Sequence, residues 1–325
     1  MADVLVHVLD HDGQFNKSSL GALSEGARLA GELGGEAHAA VIGGQAPCAA
    51  LGRYGAARVY RAGGPAGVAQ PVVDAMAGLM REGRFACALF GGGLLGHEAG
   101  AALAARLGAG IAVEVTATGV RAGRLVAERP VLGDSQISEI ELSGPAGIIV
   151  ARIGAFEALD RGAGDAPVED LAFEPSAPAT RVRMIEHGAQ RGGEEADIEA
   201  AEVVVAGGRG LGGPEAFALC EELARAFGPA AAVGATRAVV DAGWYPYAAQ
   251  VGQTGKTVAP KLYIAAGISG QIQHKVGMQG SESILAINTD ARAPIFEFTD
   301  LGIVGDLHRI LPRLAAALRA RGDGR

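Results

Sequence analysis

The sequence predicts an α/β protein built as two doubly wound domains, and three observations carry that expectation. Short apolar runs alternate with helical patterns towards both ends of the chain, and a segment rich in glycine, proline and acidic residues separates the two series. Glycine contributes 51 of 325 residues, about twice its usual share of roughly 7 %. With 49 % hydrophobic residues the chain is not a disordered one, and its length suits two domains that each bury a core.

The first series opens with Val4–Leu9 as a buried strand and Lys17–Leu33 as a helix, where Leu20, Leu23, Ala27 and Ala30 recur at helical spacing. Glu36–Ile42, Ala57–Tyr60 and Phe85–Phe90 read as further strands, Pro65–Met80 and Glu98–Leu107 as helices. Regular alternation implies a parallel sheet with right-handed crossovers. After Ile111 the rhythm changes to Val113–Thr118, Val120–Glu128, Ile137–Leu142 and Gly147–Ala151, strand-like pieces without helices, which predict an antiparallel edge. From Arg161 to Glu199 the composition reads as a hinge or linker, interrupted by one strand-like run, Thr180–Ile185. The boundary is placed near Arg191, giving domains 1–190 and 191–325. The second series then runs Ala201–Ala206 strand, Pro214–Phe227 helix, strands at Ala230–Val233, Leu262–Ala265, Ser283–Asn288 and Ile295–Phe298, and Val304–Arg319 helix.

Charge and composition remove several function classes. The formal net charge of −8 gives no field that draws in phosphate backbones or anionic membranes, so nucleic acid is not an expected partner. Cys48, Cys87 and Cys220 are far apart, lack CxxC spacing and read as reduced core thiols. His7, His11, His38, His97, His187 and His308 are scattered without ligand spacing, so no metal is assigned. Asp3 stands where a signal peptide carries basic residues, and apolar runs such as Phe85 to Gly96 fall short of the roughly 18 residues of a membrane span. A soluble, cytoplasmic protein is expected.

Chemistry concentrates in the second series. Glu202 to Glu215 reads as strand, glycine turn and helix start, and Gly208, Gly210 and Gly213 satisfy GxGxxG in that context. The pattern suits a dinucleotide pyrophosphate, and equally a plain tight turn. No acidic residue ends the following strand to bind a ribose diol, and Arg209 sits inside the turn, where a guanidinium offers bidentate bonds to phosphate. A second cluster, Gly234 to Trp244 and then Gln250 to Lys256, is rich in small, hydroxyl and amide residues. It reads either as backbone packed against a polar ligand or as a glycine-rich surface loop. Leu262–Ala266 leads into Gly267-Ile268-Ser269-Gly270-Gln271-Ile272-Gln273-His274, another strand, turn and helix start, and Asn288-Thr289-Asp290 brings polar groups to a further strand end.

In this order and spacing, Gly207–Leu211, Val251–Gly255, Gly267–His274 and Ala286–Asp290 closely resemble the alpha subunit of electron transfer flavoprotein. The likeness is most specific over residues 202–312 and weaker in the first half. It implies two Rossmann-like domains, the C-terminal one holding FAD and the N-terminal one serving as scaffold for a heterodimer with a beta subunit. By matching position Arg209 lies by the dinucleotide and Arg237 beside the isoalloxazine ring, where a fixed cation stabilises the charge that develops on reduction. Thr254 matches the residue whose hydroxyl bonds near flavin N5, and His274 the one near the C2 carbonyl; with Arg237 these would tune the flavin. His274 also reads simply as a helix-start histidine that caps and packs. Thr236, Gln250, Val251, Gly252, Gln253 and Gln273 are further cofactor-binding residues by the same resemblance, Ser269, Gly270, Gln271 and Ile272 match the phosphate-side turn, and Asn288, Asp306 and Leu307 the adenosine end. Two departures are small: Thr236 stands where serine is common, and Gln271 where a small residue is frequent.

The resemblance implies an electron carrier without bond chemistry of its own, fed by acyl-CoA dehydrogenases and related flavoprotein dehydrogenases and discharged by a membrane quinone oxidoreductase. The glycine-rich linker fits a swinging FAD domain. An electron-bifurcating or nitrogen-fixation-linked form, a nicotinamide-dependent dehydrogenase and a subunit without its own flavin are the competing readings.

Overall fold

The computed structural model describes residues 2–322 apart from 12, 66, 82–84, 133, 145 and 183–197. The chain divides into two compact units, Met1–His187 and Gly188–Arg325. The boundary expected near Arg191 lies outside the described residues.

The first unit is built on a seven-stranded sheet in the order Val168–Asp170, Ala56–Ala62, Ala37–Ile42, Asp3–His7, Phe85–Phe90, Gly147–Ala151, Gly110–Val115. Every pairing in it is parallel. Asp3–His7 and Ala37–Ile42 are buried along almost their whole length, as strands covered on both faces must be. Helix Lys17–Glu32 covers one face through Ala22, Leu23 and Leu29, while Ala69–Arg81 and Leu94–Leu107 cover the other through Val72, Met76 and Leu103.

The structure corrects three expectations about this unit. The helix-free stretch is no antiparallel edge of the main sheet. Ala117–Arg121, Arg124–Val131 and Gln136–Leu142 form a separate three-stranded antiparallel sheet, and Gly110–Val115 and Gly147–Ala151 on either side of it pair in parallel. A parallel pair needs a crossover, and here the meander takes the place of the crossover helix. Its Leu125 and Ala127 enter the same core cluster as the first helix, and Arg28 of that helix donates to the Thr118 carbonyl at 2.6 Å. The glycine-rich linker, secondly, begins inside the unit. Val168–Asp170 extends the main sheet, Arg161 N–H donates to Arg53 O and Ala166 N–H to Ala49 O, so the chain around Gly162 is packed rather than a hinge. Thirdly, Thr180 belongs to the short helix Ala177–Arg181, which Pro178 favours in its first turn, and not to a strand; residues 183–185 of that expected strand lie outside the described residues. The three cysteines are free and buried, and burial raises the thiols of Cys87 and Cys220 to about 12, which leaves them unreactive.

The second unit is a six-stranded parallel sheet in the order Gln250–Val251, Ala231–Thr236, Val203–Gly207, Leu262–Ala266, Ile284–Asn288, Leu301–Val304. Numbered along the chain from its own first strand, this is the 3-2-1-4-5-6 order of a doubly wound dinucleotide fold. Helices Phe217–Phe227 and Leu307–Gly322 pack on one face through Phe217, Leu223 and Leu311, and Val258, Tyr263, Met278 and Ile295 fill the other. The expected strand Ile295–Phe298 is a 3-10 helix, Pro294–Phe298, and the sixth strand follows it at Leu301–Val304. Pro294 lacks the N–H a strand would need and fixes the turn, while Ile295 N–H donates to Ser269 O.

The strand order reverses between Val203–Gly207 and Leu262–Ala266, and the two glycine turns leaving those strands meet there. Gly208 N–H donates to Ala266 O and Gly210 N–H to Gly267 O, each at 2.9 Å. A methyl group on Gly210 would come within 2.6 Å of the Gly267 Cα, and Gly267 itself holds a left-handed φ of +65°. Gly210→Ala is therefore expected to cost about 1–3 kcal/mol of stability by forcing the turns apart, read as a lower denaturation midpoint; an unchanged midpoint would show that the turns separate freely.

Candidate functional site

Open α/β sheets bind ligands beyond the carboxyl ends of their strands where the strand order reverses. In the second unit that place is a cavity of about 530 Å³. Its walls are the turn after the first strand (Gly208, Arg209, Gly210), the end of the second strand and the helix it enters (Thr236, Arg237, Ala238, Asp241), the segment Val251–Thr254, the turn Gly267–Ser269 with Gln271, Gln273 and His274, and Asn288. The floor is buried, at Val251, Gly252, Ile268 and His274, whereas Arg209, Arg237, Gln253, Thr254, Ser269, Gln271 and Gln273 form an exposed polar rim.

Several of these polar groups are held by neighbours. Thr254 Oγ accepts a bond from Gln250 Nε2 at 3.1 Å, so its hydroxyl proton is left to donate elsewhere. Gln250 is 2 % exposed and does not line the cavity; it is the brace behind Thr254. Tyr247 closes the same turn by donating from its hydroxyl to Thr254 O at 2.9 Å. Asn288 donates from Nδ2 to Ile268 O at 3.0 Å and so ties the fifth strand's end to the Gly267 turn. Arg237 Nε donates to Asp241 Oδ2 at 3.2 Å across one turn of helix Arg237–Asp241.

His274 lies against the cavity, and both its ring nitrogens have partners within the chain. Nδ1 lies 3.1 Å from Val251 O and Nε2 lies 2.9 Å from the Tyr263 hydroxyl. A carbonyl oxygen only accepts, so Nδ1 carries the proton and Nε2 accepts from Tyr263, itself fully buried. Desolvation lowers the His274 pKa to about 4 and keeps the ring neutral at pH 7.

The cavity brings together Arg209, Thr236, Arg237, Val251, Gly252, Gln253, Thr254, Ser269, Gln271, Gln273, His274 and Asn288 of the residues singled out in the sequence. Gln250, Gly270, Ile272, Asp306 and Leu307 lie outside its lining. Gly270 is packed on the backbone of Ile295, and Ile272 is an exposed residue of the short helix Ile272–Lys275. Asp306 Oδ1 accepts from His308 N–H at 2.9 Å at the start of helix Leu307–Gly322, and the Leu307 side chain is buried behind Gly267. Sequence reasoning missed Ala238 and Asp241 as wall residues and Tyr263 as the partner of His274. The i,i+4 spacing of Arg237 and Asp241 was the available signal for the first pair; Tyr263 reads only as a core strand residue. Among the described residues no group of His, Cys, Asp and Glu is arranged to hold a metal ion, and no helix is long and apolar enough to cross a membrane.

The walls fit a dinucleotide. Glycine turns allow close approach to a pyrophosphate, two guanidinium groups stand on the rim, and hydroxyl and amide groups offer directed hydrogen bonds to a ring system. Comparison with known proteins agrees. Residues 4–176 match the electron transfer flavoprotein domain, and residues 197–279 match the electron transfer flavoprotein FAD-binding domain. The electron transfer flavoprotein subunit alpha of Mycobacterium leprae (strain TN) is 42 % identical over 331 residues, 99 % of each chain. The chain belongs to the electron transfer flavoprotein alpha subunit family. The electron transfer flavoprotein subunit alpha of Clostridium acetobutylicum is 36 % identical with 98 % of each chain covered, and a protein named FixB from Clostridium saccharobutylicum is 36 % identical over 96 % of this chain and 95 % of its own. This electron transfer flavoprotein alpha chain is accordingly an FAD-binding electron carrier, and its family implies a beta subunit as partner.

Buried neutral histidines make the fold acid-sensitive in a defined window. His274 and the fully buried His7 both titrate near 4 in the folded chain, against 6.5 for the free side chain. Below 6.5 the unfolded state takes up protons that these two side chains refuse in the folded state, so their contribution to stability is greatest above 6.5 and falls as the pH drops towards 4. Each histidine contributes a slope of up to about 1.4 kcal/mol per pH unit in that window. Thermal melts from pH 8 to 4 are expected to show the decline, and His274→Gln to flatten part of it; an identical decline in the variant would contradict the assignment.

Proposed function

We propose that the chain holds one FAD in the second unit's cavity and works as half of a heterodimer with its beta subunit. It would accept electrons from acyl-CoA dehydrogenases and related flavoprotein dehydrogenases and pass them to a membrane quinone oxidoreductase. The first unit would serve as the scaffold of the heterodimer. The observation that carries this reading is the meeting of Arg209, Arg237 and Thr254 on one cavity at the reversal point of a doubly wound sheet.

FAD, when bound, supplies the reversible uptake and release of electrons. The chain's own residues bind, orient and bias it. Arg209 in the glycine turn is suited to the pyrophosphate, with Ser269 and Gln271 on the opposite turn and Asn288 towards the adenosine. Gly270 and Leu307 shape the turn from behind, through the packing of Gly270 on Ile295 and the Leu307 side chain under Gly267. Arg237 favours the more negative reduced flavin, and Thr254, its oxygen already engaged by Gln250, offers a proton donor to a ring nitrogen. Val251, Gly252, Gln253 and Gln273 hold the ring's edge, and neutral His274 presents a polar but uncharged wall.

A nicotinamide site would present an acidic side chain at the end of the second strand for the ribose diol. Ala231–Thr236 ends instead in Thr236 followed by Arg237, which favours a flavin. The likeness to a protein named FixB favours keeping a nitrogen-fixation-linked or electron-bifurcating form as the second reading.

The protein purified with its beta subunit is expected to be yellow, and to be reduced by an acyl-CoA dehydrogenase with its substrate but not directly by NADH. Two-electron reduction by NADH would support the second reading instead. Arg237→Ala is expected to lower the flavin midpoint potential by roughly 60 mV, the equivalent of about 1.4 kcal/mol for a one-electron step; an unchanged potential would remove Arg237 from its assigned role.

A further inference from the structure

The charged wall residue with no place in the reading above is Asp241. A carboxylate facing a cavity suited to an anionic dinucleotide repels its ligand, so its presence there calls for a compensating role. Asp241 lies one helical turn after Arg237, on the same face of helix Arg237–Asp241, and accepts from Arg237 Nε at 3.2 Å. Both side chains are largely solvent-exposed, at 65 % and 62 %, and an exposed i,i+4 pair contributes little to helix stability. A fold-stabilising role therefore does not account for it.

Geometry supplies a better account. A guanidinium carries five N–H donors in a rigid fork, and engaging Nε biases the orientation of the group while leaving both terminal nitrogens to donate elsewhere. The strand end at Thr236 delivers the chain directly into this helix at the rim of the cavity. Without a partner, a long arginine side chain in that position samples many rotamers in solvent, and its charge at the cavity averages down.

We infer that Asp241 is a positioning residue that biases the Arg237 guanidinium towards the cavity, so that the cation acts on the bound flavin from a preferred orientation. The inference rests on the assignment of Arg237 to the flavin made above. It carries a sign that plain electrostatics does not: deleting a negative charge beside a redox centre by itself raises the midpoint potential, whereas losing an aimed cation lowers it.

The test uses the FAD-loaded protein with its beta subunit and compares Asp241→Asn, Asp241→Glu, Arg237→Ala and the double variant Arg237→Ala/Asp241→Asn. Asp241→Asn is expected to lower the flavin midpoint potential, Asp241→Glu to restore most of it, and Asp241→Asn to produce no further fall once Arg237 is absent. A second readout follows hydrogen exchange of the Arg237 Nε–H by NMR in the flavin-free protein, where Asp241→Asn is expected to accelerate exchange and Asp241→Glu to leave it slow. A rise in potential with Asp241→Asn, or a fall of equal size with and without Arg237, overturns the inference. So does Nε–H exchange that is indifferent to Asp241. If Arg237→Ala alone leaves the potential unchanged while the exchange result holds, the pairing stands and the assignment of Arg237 to the flavin fails.

Discussion

The second unit depends on a backbone contact between two glycine turns. Val203–Gly207 and Leu262–Ala266 are neighbours whose crossovers leave in opposite directions, and the turns that follow them hydrogen-bond to each other through Gly208, Gly210, Ala266 and Gly267. Side chains at Gly208, Gly210 and Gly267 would hold the turns apart. Because the turns touch, Arg209 on one and Ser269 on the other face the same cavity, and the dinucleotide site follows from a packing constraint as much as from ligand recognition. The glycines were expected for close approach to a phosphate; the structure adds that they must first approach one another.

Around that contact the residues that face the cavity are braced by buried neighbours and by one another. Gln250 stands behind Thr254, Tyr263 and the Val251 carbonyl hold His274, and Asn288 ties down the turn at Ile268. A redox cofactor responds to the position of nearby charges and donors, and a side chain that is both exposed and unrestrained gives it no fixed environment. Buried amide and phenol groups provide that restraint, because an unmade bond at such a site costs more than the made bond contributes.

Much of this was legible in the sequence because the signals are local. A strand of β-branched residues running into glycines, as at Val203–Gly208, reads directly as strand and turn, and so does Leu262–Gly267. The meander of residues 117–142 was legible as strands but not as a separate sheet, since pairing is decided by contacts with Lys17–Glu32, distant in sequence. Ile295–Phe298 carried a strand-like composition and became a 3-10 helix because Pro294 and the bond from Ile295 to Ser269 outweighed local propensity. The stretch around Gly162 had the composition of a linker, yet its backbone groups found partners at Ala49 and Arg53.

By itself the sequence determined the α/β class, the alternation of strands and helices, the glycine turns and the identity of the polar residues near them, because periodicity and turn chemistry act over a few residues. Only the tertiary structure decided which turns meet, that Asp241 shares the cavity with Arg237, and that His274 is a neutral ring held between Tyr263 and Val251. Those facts depend on strand order and burial, which bring together residues that no local pattern connects, and burial is what fixes the protonation of a histidine.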